Sequence, residues 1–162
     1  MYSAEGLLEF SRRTHQSFGK LMAHCRTLTS EEFNRKHVEF GIYSVKYQLH
    51  HAIGAQKYWI GVLEGRMDVD DDPDDQFSMD DMEAYRAEVV GLMAKYLGAA
   101  SVKELTTARP MITWQQIEKT LIPAHVVMRT LTHMFQHQGQ VIAMCRKMGK
   151  PVKPGLDYPI LP

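Results

Sequence analysis

Apolar residues recur at helical spacing along four long stretches of the chain. From Ala4 to Leu28, Leu7, Phe10, Phe18, Leu21, Met22 and Cys25 mark one face of a first helix. "TSEEF" at 29–33 then carries an S/T-x-x-E start signal, which predicts a short turn and a connector reaching Gly41. A second helix is predicted from Tyr43 to Glu64, closed by Gly65 as a C-cap residue. A third runs from Met79 to Leu97, with Asp80, Asp81 and Glu83 matching the positive end of its dipole. The last begins at Pro123, a favoured first-turn residue, and stops before Gly149 and Pro151. Between helices three and four, a mixed segment to Trp114 shows no convincing strand pattern, and the Pro-rich tail after Lys150 is irregular.

Four long helices joined by loops predict an all-α fold, an antiparallel four-helix bundle in one domain spanning residues 1–162. Charge adds only exclusions. Nineteen Lys and Arg balance nineteen Asp and Glu, so no cationic excess exists to neutralise nucleic-acid phosphates or a membrane surface. The N-terminal stretch lacks the pattern of a signal peptide, and no apolar run reaches the roughly 18 residues of a membrane span. Cys25 and Cys145 lie inside helical patterns without zinc-type spacing, which predicts free buried thiols in the cytoplasm.

The Asp-rich connector at 68–81 invites a calcium reading, since Asp68, Asp70 and Asp72 match the first EF-hand ligand positions. Pro73 and Met79 break the match where the turn glycine and the bidentate Glu belong, so a solvated, flexible connector is expected.

Helix four carries "THMFQHQGQV" at 132–141. His133 and His137 lie at i and i+4, about 5–6 Å apart at Cβ, so both rings can reach a single ion. On a helical wheel Gln140 joins them, beside Val126, Thr130 and Met144, on a face turned into the bundle. Gly139 removes a side chain there, either for close helix packing or for substrate access. On helix two the wheel turns His51 inward and places His50 on the wet face with Lys46, Lys57 and Glu64. Buried imidazoles are costly unless their nitrogens find partners, so three inward histidines point to a shared divalent metal. Met134 stands where the Glu of HExxH would be, and no histidine follows a Glu by three residues, which excludes zincin and di-iron chemistry. Three neutral imidazoles leave an ion its full charge and open positions for water or substrate, the layout of a Lewis-acid site.

"YQLHHAIGAQKYWIGVLEG" followed by "LTHMFQHQGQV" resembles the DinB/YfiT-like superfamily of four-helix metalloenzymes. The resemblance covers most of the chain. It rests on His51 with Trp59 eight residues on, and on the H-x3-H-x-G-Q pattern of His133, His137, Gly139 and Gln140. It implies a divalent metal held by His51, His133 and His137, a homodimer, and for some members thiol-dependent S-transfer. The pattern departs at Gln136 and Gln138, where related sequences carry His or Tyr and Arg or Lys.

The expectation is therefore a metal-dependent transferase that activates a low-molecular-weight thiol against a small-molecule substrate. The alternatives are a hydrolase using metal-bound water and a non-catalytic metal-binding stress protein. Nitrogen donors suit zinc or nickel foremost, with iron, cobalt and manganese behind them. Gln140 is expected to bond a metal-bound water or orient one ring, and Glu118 and Tyr58 are the only acid–base candidates placed near the site. Helix four also has a second apolar stripe, Met128, Leu131, Phe135 and Ile142, which a homodimer partner would cover.

Overall fold

The computed structural model describes residues 2–67 and 69–160; Asp68 of the calcium reading lies outside them. Four long helices form the bundle: α1 (Ala4–Cys25), α3 (Val45–Leu63), α4 (Met79–Ala99) and α6 (Pro123–Lys147). Two one-turn helices, α2 (Ser30–Asn34) and α5 (Val102–Thr106), sit in the connections. Each long helix packs on two others, in the ring α1–α6–α3–α4. No described helix is long and apolar enough to cross a membrane.

Local chemistry sets the boundaries. Ser44 accepts the Tyr47 N–H at 3.2 Å, so α3 starts two residues later than the periodicity suggests. Ser78 and Asp81 form a reciprocal capping box at α4, and Thr29 and Glu32 form another at α2. Gly65 and Gly149 adopt φ of 75° and 76° just past α3 and α6, a conformation that favours glycine. The core is built from Phe18, Leu21, Met22, Leu49, Ile53, Met93, Leu131 and Met144 among others. Cys25 and Cys145 are free and buried, and their thiols meet between α1 and α6.

Two expectations need correction. The mixed segment contains an antiparallel hairpin, β1 (Arg109–Thr113) and β2 (Ile117–Leu121), turning through Trp114–Gln116. Pro110 and the charged "IEKT" disguise it, because a two-stranded edge ribbon tolerates Pro and needs only Met111 and Thr113 to face inward. The acidic connector, in turn, is tied down rather than free. Lys57 Nζ binds Asp70 at 3.0 Å, Tyr85 donates its hydroxyl to Asp70, and Lys46 Nζ donates to the Asp74 carbonyl at 2.8 Å. The face of α3 expected to be wet is therefore covered, leaving Lys46 only 1% exposed.

On α6, Leu131 is buried within the single chain, Met128 and Ile142 are partly buried against the core, and Phe135 is half-buried. Gly139 is exposed on the same side, and a Cβ there would meet nothing within 4 Å. Neither close packing nor substrate access within this chain accounts for it. Glycine inside a helix costs about 0.5–1 kcal/mol relative to alanine. Gly139→Ala should therefore raise the melting temperature by roughly 1–4 °C in a chain of this size. Thermal unfolding by circular dichroism checks this; a fall in Tm would place a second copy against the face of Phe135 and Gly139.

Candidate metal centre

α3 and α6 pack against each other and bring His51, His133 and His137 together, with one ring nitrogen from each inside a 4.8 Å span. The ring centroids are separated by 4.4 Å for His133 and His137, 4.7 Å for His51 and His137, and 5.4 Å for His51 and His133. The His133 and His137 Nε2 atoms are 3.1 Å apart. Two nitrogens bound at 2.0–2.1 Å to one tetrahedral ion are about 3.3 Å apart, so this pair fits an edge of such a site.

Exposure is the reverse of the wheel's assignment. His51 is exposed, at the open side of the cluster, whereas His50 is buried, stacked on Tyr85 at 5.0 Å and edge-on to Phe77 at 5.3 Å. The reason lies outside α3. The acidic connector and α4 cover the His50 side, and Gly54 admits Tyr85, whose hydroxyl would stand 3.0 Å from a Cβ.

The orientation of His137 is set by a residue absent from the sequence reading. Gln48 donates its amide N–H groups to the Ile42 carbonyl (2.5 Å) and to Gln140 Oε1, so its own oxygen can only accept. That oxygen lies 2.5 Å from His137 Nδ1, which must carry the proton. The lone pair of His137 then sits on Nε2 and faces His133. Gln140 is thus a step further out than expected, holding Gln48 rather than a ring or a bound water.

Burial, then the neighbouring imidazoles of His133 and His51, holds His137 down at about 3. Burial, then His51 and Arg129, holds His133 at about 4. Burial also lowers His51, against the opposing pull of Asp72. All three rings are neutral near pH 7 and offer lone pairs. Two facing lone pairs at 3.1 Å repel unless a proton or a cation lies between them, and this donor set suits a divalent ion.

The cluster opens into a cleft of about 590 Å³. His51 and His133 line it, along with the aromatics Tyr58, Trp59 and Trp114 and the charged residues Arg129, Asp70 and Asp72. Tyr58 is therefore at the site as expected, whereas Glu118 is exposed on β2 and does not line the cleft. Asp72 figured only in the rejected calcium pattern of the connector, and Arg129, one helical turn before His133, has no motif of its own. Gln138 is buried on the other side of α6, where it donates to Ser17 Oγ (3.2 Å) and the Leu156 carbonyl. Gln138 is not among the residues that line this cleft.

Fold and site together define a helical bundle centred on a three-histidine cluster able to hold a metal ion. The chain belongs to the DinB family, whose sequence profile matches residues 1–162. Its fold is similar to the crystal structure of a DinB family member from Shewanella denitrificans, with a TM-score of 0.59 and 15% identity. That similarity covers 99% of this chain and 91% of the other, and at such identity it speaks to the fold alone. No curated protein matches.

Single replacements His51→Ala, His133→Ala and His137→Ala are each expected to remove most of the bound metal, measured by mass spectrometry after tag-free purification. His50→Ala should retain it. Because burial holds these rings below the free imidazole value of about 6.5, protons compete only in more acid solution, and metal should stay bound down through pH 6.5.

A chelator-competition titration tests the polar relay. Gln48→Leu should weaken metal binding about tenfold or more, since it frees the His137 tautomer, with Gln140→Leu costing less. Equal losses in the two variants would place Gln140 in direct contact with the centre.

Proposed function

We propose that the protein is a metal-dependent transferase that activates a low-molecular-weight thiol at His51, His133 and His137. The observation that carries this reading is the donor set: three neutral imidazoles, with no carboxylate among them, beside a cleft walled by Tyr58, Trp59 and Trp114. A divalent ion, zinc or nickel foremost, would keep its full charge there and supply the Lewis acidity that ionises a bound thiol near neutral pH. Gln48 fixes the His137 tautomer that leaves Nε2 free to bind. The aromatic wall offers flat apolar surface to an electrophile, so the protein's own task is orientation rather than proton transfer.

Asp72 supports a second reading as a hydrolase. Its carboxylate lines the same cleft and acts electrostatically on His50 and His51, which makes it the candidate to take a proton from an attacking water. Turnover of an aryl halide with cysteine as the thiol separates the two. The transferase reading expects product only with both metal and thiol present, and loss of activity in His133→Ala. Thiol-independent ester cleavage abolished by Asp72→Asn would move the assignment to a hydrolase, and no turnover in either assay would leave a binding protein.

A further inference from the structure

One wall of the cleft carries a cation with no charge partner. Arg129 lies on α6 one turn before His133 and lines the cleft with it. Its guanidinium stands over the Trp59 ring, 5.4 Å from the centroid, and among the described residues no carboxylate pairs with it. Stacking uses the face of the guanidinium and leaves the N–H donors around its edge unspent. Beside it, Tyr58 packs edge-on to Trp59 at 5.2 Å and to Trp114 at 6.4 Å. The Tyr58 hydroxyl is buried and has no hydrogen-bond partner among the described residues. A buried hydroxyl without a partner carries a desolvation cost that a ligand atom could offset.

We propose that Arg129 and Tyr58 form an anion subsite for the carboxylate of a small organic acid whose apolar body rests on Trp59 and Trp114. The proposal deepens the small-molecule reading above by giving the substrate its charge and its shape. Two observations favour a carboxylate over a phosphate. Among the described lining residues Arg129 is the one arginine, and the cleft also holds Asp72, which repels a doubly charged group more strongly than a singly charged one. Lys57 is already engaged by Asp70 and Glu88, so among the described residues Arg129 is the cation lining this cleft that has no carboxylate partner.

Both tryptophans of the chain, Trp59 and Trp114, line the cleft, so intrinsic fluorescence reports binding there directly. Phenylacetate, phenylacetamide and inorganic phosphate are titrated into metal-loaded and into chelator-treated protein. Wild type should bind phenylacetate at least tenfold more tightly than the amide or phosphate. Arg129→Gln should lose that preference in both preparations while keeping its metal content and its circular dichroism, and Tyr58→Phe should lose part of it. Because Arg129 is exposed, its replacement leaves the core intact. No phenylacetate binding by wild type, equal binding of acid and amide, or an unchanged preference in Arg129→Gln would each overturn the subsite. Failure of the metal reading shows up separately, as wild-type protein without bound metal, and the chelator-treated arm still decides the role of Arg129.

Discussion

The hydrogen bond between His137 Nδ1 and Gln48 Oε1 joins α3 to α6 inside the bundle, and the geometry of the cleft follows from it. Both side chains are buried, so loss of either leaves the other with an unmet polar group at a cost of about 1–3 kcal/mol. The contact therefore fixes the relative placement of the two helices more sharply than the surrounding Leu and Met side chains, which tolerate sliding. Gln48 also donates to the Ile42 carbonyl, tying the connector before α3 to the same point. Gly41, Ile42 and Tyr43 of that connector form part of the cleft wall. One amide thus sets a ring tautomer, a helix contact and a cleft boundary.

The opposite wall is placed by electrostatics. Lys46 and Lys57 project from α3 toward the acidic connector; one donates to a backbone carbonyl and the other bridges Asp70 and Glu88. These contacts fold the connector over His50 and bring Asp70 and Asp72 to the cleft. The ion pairs are half-exposed, so each stabilises only modestly, but together with the buried Lys46 they hold one arrangement of the loop.

The long helices and the His133–His137 pair were legible because each signal is local, whereas His51 was carried by the family resemblance, its wheel position being reversed in exposure. Apolar spacing marks a helix face, and an i,i+4 pair of histidines on such a face can be read without knowing what packs against it. His50 and Lys46 were misplaced for the complementary reason. A wheel sorts the residues of one helix by polarity, whereas their burial here is decided by a loop more than twenty residues away in sequence. Gln48 was missed because its partners, Ile42, Gln140 and His137, come together only when α3 meets α6. The hairpin was missed because, among its described residues, Met111 and Thr113 are the buried positions, too few to outweigh Pro110 and the charges of β2.

Charge within the cleft differs from charge over the whole chain. The protein is formally neutral, with acids and bases in equal number, yet one of the cleft's two described carboxylates is already paired. Asp70 faces Lys57, which leaves Asp72 as the remaining carboxylate, against Arg129 on the other side. The three imidazoles contribute nothing of their own, because burial lowers all three and neighbouring imidazoles lower His133 and His137 further. Any divalent ion bound among them would bring two positive charges that no ligand cancels, and the cleft would become cationic in an otherwise balanced molecule. A neutral ligand set therefore does more than leave coordination positions open. It would make a bound ion and Arg129 act in the same direction on an entering anion, in a partly desolvated space where such attraction is stronger than at the open surface.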